Sequence, residues 1–147
     1  MLAFNWYTFS ELTVEQLYAA LVLRSETFVV EQHCPYLDPD GNDVFARHVL
    51  GMEHNALVAY LRLFPPTDIE QYVVFGRVVT ARSARTKGFG KQLIQALLTY
   101  CDTHFPGIRI QCSAQYYLKK FYEGFGFEAY GDVYEEDGIP HVAMCRE

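Results

Sequence analysis

The densest group of chemistry-bearing residues in the chain is Arg85-Thr86-Lys87-Gly88-Phe89-Gly90-Lys91. It separates an apolar run at 72–80 from an amphipathic stretch that starts at Gly88. A strand, a glycine turn and a helix start together present unpartnered backbone N–H groups to an anion, and the helix dipole adds a favourable field. Gly88 and Gly90 carry no side chain, so a phosphate can come close to the backbone. Arg82, Arg85, Lys87 and Lys91 surround the turn in a chain whose formal net charge is -6. A local basic patch in an acidic protein points to a polyanionic ligand. The plainer reading is a glycine connection with solvated basic residues. Two familiar phosphate loops do not fit. A Walker loop needs Gly where Arg85 stands and Ser or Thr where Gln92 stands. A dinucleotide fingerprint needs a third Gly where Leu93 stands.

Other candidates are single residues. Arg77 lies inside the apolar run 72–80. A charge there needs a partner. Glu31 or an aspartate of the segment 31–46 could supply a salt bridge; otherwise Arg77 would clamp a substrate carboxylate. Arg24 falls on the apolar face of a helical stretch, where it either snorkels out or points into a site. Asp38-Pro39-Asp40-Gly41-Asn42-Asp43 resembles a calcium loop only loosely, because its glycine is misplaced and Val49 occupies the position of the bidentate glutamate. No metal is expected.

These residues have to be positioned by a set of readable elements. Residues 3–9 are apolar and aromatic, as in a strand. Thr13 and Gln16 form a capping box ahead of a helix whose face carries Leu17, Leu21, Arg24 and Phe28, with Val14 and Tyr18 beside it. Residues 31–46, broken by Pro35, Pro39 and Gly41, read as a long functional loop. Residues 48–53 and 57–64 form a hairpin through His54-Asn55. The run 72–80 fits a central strand covered on both faces. Helices are expected at 88–104, with a stripe of Leu93, Ala96, Leu97 and Tyr100, and at 115–125, with Gly126 as C-terminal cap. Strands are expected at 108–113, 127–134 and 139–146, the last two joined by the acidic turn 135–138. The order β-α-β-β-β-α-β-α-β-β predicts an α/β fold: a mixed, mostly antiparallel sheet flanked by helices.

Composition bounds the function. A chain of 147 residues with 11 Tyr and 11 Phe supports one core, so residues 1–147 are read as one domain. The acidic balance argues against nucleic acid as partner. No run approaches the ~20 apolar residues that span a bilayer, and the start has no basic leader. Cys34, Cys101, Cys112 and Cys145 form neither CxxC pairs nor a zinc spacing, which fits free thiols in a reducing cytoplasm.

The pattern R-x-x-G-x-G at a helix start resembles the pyrophosphate-binding signature of the GNAT superfamily of N-acetyltransferases. A second match follows: Phe121-Tyr122-Glu123-Gly124-Phe125-Gly126-Phe127 is similar to that family's Y-x-x-x-G-F element. Arg24, Phe28 to Gln32, Cys34-Pro35-Tyr36, Asp38, Asp40-Gly41 and the tail Val133 to His141 resemble the ElaA branch of the superfamily. The resemblance implies central strands that splay apart around the site. It also implies acetyl-CoA as cosubstrate, contacted by Val78, Val79, Thr80, Arg85, Thr86, Lys87, Gly88, Phe89, Gly90 and Lys91. Gln115 stands where the family often has an Asn against the pantetheine arm. Tyr122 is implied as general acid to the departing thiolate; a tyrosine among aromatics is otherwise core packing. The acceptor would be a primary amine of a small molecule or peptide, with Arg24, Glu31, Tyr36, Arg77 and His141 on its side. An amine with pKa ~10.4 costs about 4–5 kcal/mol to deprotonate near neutrality. Residues 72–80 hold no Asp or Glu, so the base comes from Glu31, His48, His141, the acidic loop or water. Cys112, the cysteine expected near the site, lacks a histidine partner in sequence, which favours direct attack over an acyl-enzyme. A non-catalytic acyl-CoA-binding or sensing domain, or an interaction module without ligand, would share much of this pattern.

Overall fold

The computed structural model describes residues 2–147. Its strands are β1 (Ala3–Thr8), β2 (Arg47–Glu53), β3 (Ala56–Phe64), β4 (Val73–Thr80), β5 (Ile110–Gln115), β6 (Glu128–Glu136) and β7 (Ile139–Arg146). Its α-helices are α1 (Val14–Arg24), α2 (Phe89–His104) and α3 (Lys119–Glu123). The strands make one seven-stranded sheet in the order β1-β2-β3-β4-β5-β7-β6. All neighbours are antiparallel except β4 and β5. The element order and the mixed, mostly antiparallel sheet are those read from the sequence. Among the described residues, no helix is long and apolar enough to cross a membrane.

Local chemistry accounts for the element ends. The Thr13 hydroxyl accepts from Gln16 N–H and the Gln16 side chain accepts from Thr13 N–H, so both halves of the capping box form. Both tight hairpins turn on paired left-handed residues, His54-Asn55 (φ 50 and 68) and Asp137-Gly138 (φ 53 and 78). That is the geometry whose twist matches the flanking strands. Gly126 (φ 88) ends the third helix: its N–H donates to the Glu123 carbonyl and Phe127 N–H to the Tyr122 carbonyl.

Three expectations change. The first helix is not α-helical throughout. It continues as a π-helical segment over Ser25–Glu31, with Gln32 N–H donating five residues back to Thr27. Thr27, Val29 and Val30 are β-branched and fit a tight α-helix poorly. On α1 itself, Val14 and Tyr18 are exposed, while Ala20, Leu23 and Arg24 form the buried face. The strand expected at 108–113 runs to Gln115, so the next helix starts late. A 3-10 turn at Tyr116–Leu118 precedes the short α3.

The helices cover the sheet unequally. α2 and α3 pack on one face, where Leu93, Ile94, Leu97 and Tyr122 meet Leu61, Leu63, Phe75, Cys112 and Met144. Burying each large apolar side chain contributes roughly 1.5–3 kcal/mol. α1 packs on the opposite face, Ala20 and Leu23 against Leu50, Tyr60 and Val79. The face of β5, β7 and β6 turned away from α2 and α3 carries Ser113, Tyr130 and Tyr134, all exposed.

Candidate active site

The site begins as a defect in the sheet. β4 and β5 pair only at Val73 with Ile110 and Val74 with Gln111, and then diverge. The cause lies on the other edge of β4. Tyr60 pairs with Val79 and Arg62 with Gly76, so Arg77 and Val78 both stand opposite Leu61. This is a β-bulge, which bends its strand and increases its twist. Arg77 takes a left-handed φ of 54, a conformation that costs a non-glycine residue about 1–3 kcal/mol and persists only where its surroundings hold it. The resulting cleft has a volume of about 670 Å³. The splay expected between the central strands is present.

At one end of the cleft is the start of α2. Gly88 is its N-cap, with φ 77 and no side chain to cap the helix. Thr86 is also left-handed, with φ 73. None of the backbone N–H groups from Thr86 to Lys91 donates to another described residue. This is an uncapped helix start, free to receive an anion. Gly90 has ordinary helical geometry and faces Phe121 with room for a Cβ at 3.8 Å. Lys87 and Lys91 are exposed. Two side chains depart from expectation. Phe89 turns inward against Val58 and Ala84, which leaves only its backbone available. Arg85 does line the cleft, but its guanidinium is bonded to Glu31, with Nη2 to Oε1 at 2.7 Å.

Val78, Val79, Thr80, Gln115 and Tyr122 all line the cleft. Tyr122 is 4 % exposed and packs edge-on against Phe121 and Phe127. No hydrogen bond to its hydroxyl is formed by another described residue. Burial, reinforced by Cys112 and Tyr117, pushes its pKa above the usual phenol range, so it stays protonated and remains a donor. The Gln115 amide exchanges hydrogen bonds of 3.3 Å with Gln32, which ties the end of β5 to the π-helical segment. Gln32 was not singled out in the sequence because its partner is 83 residues away. Cys112 was expected to be alone near the site, but Cys34 also lines the cleft and donates to the Asp137 carbonyl at 3.3 Å. Burial raises the Cys112 thiol to about 12, which makes it a poor nucleophile.

The acidic loop is a brace. Asp38 accepts from Arg24 Nε at 2.8 Å and from Arg77 Nε at 2.9 Å. Asp43 accepts from Arg24 at 2.8 Å and Arg62 at 2.9 Å, and Asp40 accepts from Arg62 at 2.6 Å. Three arginines therefore meet three aspartates. Arg24 is fully buried in this network and is not on the cleft wall, which rules out the substrate contact expected of it. Arg77 has its acidic-loop partner, so the structural reading of that residue holds; its half-buried side chain also reaches the cleft. Tyr36 lies against Arg77 and donates to Asp38; burial is the main cause that lifts its phenol to about 12.

The candidate bases separate clearly. His48 is 1 % exposed and away from the cleft. Its Nε2–H donates to the Asp43 carbonyl at 2.9 Å, and its Nδ1 accepts from the Tyr60 hydroxyl at 2.7 Å. It cannot reach an amine. Glu31 lines the cleft, but the hydrogen bonds from Arg85 hold its carboxyl below the usual range, which weakens it as a base. The loop aspartates are occupied by arginines. His141 lines the cleft beside Glu136 and Asp137 of the hairpin turn, two residues that the sequence offered only as an acidic turn.

A cleft opened by a strand bulge has an uncapped helix start, which suits an anion, at one end and a buried, protonated phenol in its wall. Residues 42–147 match the family model described as an acetyltransferase (GNAT) domain. The chain belongs to the GNAT acetyltransferase family. It is 47 % identical to protein ElaA of Escherichia coli over 140 residues, 94 % of this chain and 92 % of the relative. The crystal structure of that ElaA superposes with a TM-score of 0.93 and full coverage of both chains. An acyl-CoA N-acyltransferase from Pseudomonas aeruginosa superposes with a TM-score of 0.95 at 40 % identity, again over both full chains. A third GNAT-like structure, an aminoglycoside 6'-N-acetyltransferase complexed with coenzyme A, shares the fold at 16 % identity and a TM-score of 0.74.

Proposed function

We propose that this protein transfers the acetyl group of acetyl-CoA to a primary amine of a small molecule or peptide, by direct attack and without an acyl-enzyme. The observation that carries the reading is the β4–β5 split with the uncapped start of α2 at its end. The pyrophosphate would rest on the N–H groups of residues 86–91, and the acyl arm would run along Val78 to Thr80 and Gln115. Tyr122 would donate its proton to the sulfur as the C–S bond breaks. The P. aeruginosa relative is named as an acyl-CoA N-acyltransferase. The four free thiols and the acidic charge fit a cytoplasmic enzyme acting on a cationic acceptor, without nucleic acid or membrane.

The test is release of free CoA thiol from acetyl-CoA in the presence of monoamines, polyamines, amino acids and peptides. Thiol release that depends on one amine class supports the enzyme. If CoA raises the melting temperature and no amine releases thiol, the protein is a binding or sensing domain instead. Ligand at about 100 times its Kd should stabilise by roughly 2.7 kcal/mol. A melting curve unmoved by millimolar CoA leaves only an interaction module.

A further inference from the structure

Strand alternation gives the two sides of the split different chemistry. On β5, Cys112 and Ala114 face the core under α3, together with Val142 and Met144 of β7 and with Tyr122 itself. Gln115 and its directly opposed partner His141 therefore face the other way, toward the side left open by α2 and α3. The phenol and the imidazole approach the split from opposite faces of the sheet.

His141 is held in a defined state. Its Nδ1 lies 2.7 Å from the Ile139 carbonyl, which can only accept, so Nδ1 carries the proton. Nε2 is then the ring nitrogen left to gain or lose a proton. That nitrogen lies 3.5 Å from the Glu136 carboxylate, and the ring stacks on Tyr134. His141 is 7 % exposed, whereas the Glu136 side chain is about half exposed. The other charged or titratable groups on this part of the cleft wall are Asp137 and Cys34, which are joined through a backbone carbonyl, and Tyr36 and Arg77, which are joined through Asp38. His141 lines the cleft with Nδ1 anchored on a backbone carbonyl and Nε2 beside a carboxylate that favours its protonated form.

We propose that His141 Nε2 is the general base for the acceptor amine and that Glu136 is its positioning residue. This rests on the acetyl-transfer reading above. His141 Nε2 takes one proton from the incoming ammonium, and Glu136 stabilises the imidazolium formed. The amine nitrogen bonds to the thioester carbon, and the pair of the breaking C–S bond leaves on sulfur. Tyr122 protonates that sulfur, and the second N–H proton of the adduct restores the phenol. The imidazolium releases its proton to solvent through the exposed side at Glu136. The acceptor is therefore a cationic amine that reaches the thioester from the side of His141, not from the side of α2.

Two measurements test this. Nitrogen NMR of histidine-labelled protein, with His141 assigned by loss of its signal in His141→Gln, should show the Nδ1–H tautomer; an Nε2–H tautomer overturns the proposal whether or not the protein turns over. In the thiol-release assay, His141→Gln should lower kcat at least tenfold and abolish the acidic limb of the kcat/KM–pH profile, with acetyl-CoA affinity unchanged. Glu136→Gln should lower kcat with acetyl-CoA affinity unchanged, and Glu136→Asp should restore much of it. An acidic limb that persists in His141→Gln removes the base alone. Absence of any thiol release by the native chain removes the reaction and the base with it.

Discussion

Arg85 and Glu31, 54 residues apart in sequence, face each other across the mouth of the cleft with both guanidinium Nη atoms on the carboxylate. The arginine of the glycine-turn pattern is thus already paired before any phosphate arrives. Each side chain is about one-third exposed, so the pair contributes little stability, about 0–1 kcal/mol.

That competition has a measurable consequence. Glu31→Gln should free Arg85 and tighten CoA binding by up to about fivefold at low ionic strength, less at high salt. Calorimetric titration at two salt concentrations checks it. Equal affinity in the variant would show that Arg85 stays clear of the phosphates.

Tyr122→Phe removes one oxygen from a ring that packs in the core between Phe121 and Phe127. No protein hydrogen bond is lost, so stability should change little. General-acid catalysis is typically worth about 10²–10⁴-fold. kcat should fall at least about tenfold, with water as the substitute donor, while acetyl-CoA affinity changes less than about threefold. Such a split assigns the interaction to the transition state. Turnover within twofold of native would move the proton donor to water.

The two glycines of the turn should respond differently. Gly88 has open space around it, but its φ is +77, so Gly88→Ala should cost about 1–2 kcal/mol of folding stability. Gly90 is helical, with Phe121 at ordinary contact distance from a Cβ. Gly90→Val should therefore fold, lose only a fraction of a kcal/mol in helix propensity, and bind CoA poorly because its side chain fills the anion's approach. Denaturant titration and CoA binding, measured on both variants, separate strain from obstruction. Native CoA affinity in folded Gly90→Val would count against the cradle.

Stability should decline with acid in two stages. His48 is buried and neutral, and burial holds its pKa below the ordinary value of ~6.5. Below pH ~6.5 the unfolded chain takes up a proton that the native state refuses, so stability falls as pH drops. Hydrogen bonds from Arg62 hold Asp40 well below the carboxylate range. Burial opposes the same shift at Asp43, but the bonds from Arg24 and Arg62 outweigh it. Both are depressed, so their contribution is full above pH ~4 and is lost as pH falls below that. Unfolding free energies at pH 7.5, 5.5 and 3.5 should fall in that order. Asp40→Asn should flatten the lower stage and leave the upper.

What the sequence discloses here follows the range of the interactions. The capping box at Thr13, the turns at His54-Asn55 and Asp137-Gly138, and the cap at Gly126 are all decided within a few residues, and all are legible. The run 72–80 reads as a central strand, but not as one that bulges at Arg77. The side chain of that residue is held by Asp38, 39 residues away. Arg24 looks like a candidate ligand contact because its apolar surroundings are visible while Asp38 and Asp43 are not. Glu31 looks like a free carboxylate for the same reason. The phosphate turn and Tyr122 stand out by motif, yet the pairing of Gln115 with Gln32 depends on where the π-helical segment ends, and the orientation of His141 on strand register.

The short seam between β4 and β5 also bears on how this sheet avoids its neighbours in a crowded solution. A sheet normally has two edges to defend from stray strands; past Val74 and Gln111 this one has four. Outer edges are usually blunted by charge, by bulges or by brevity. The two inner edges need none of these, because each is guarded by the other and by the helices above it. A foreign sheet cannot reach backbone that lies at the bottom of a wedge, whereas a single thin, extended molecule can. The same geometry that leaves those backbone groups unsatisfied acts as a sieve for what is allowed to satisfy them.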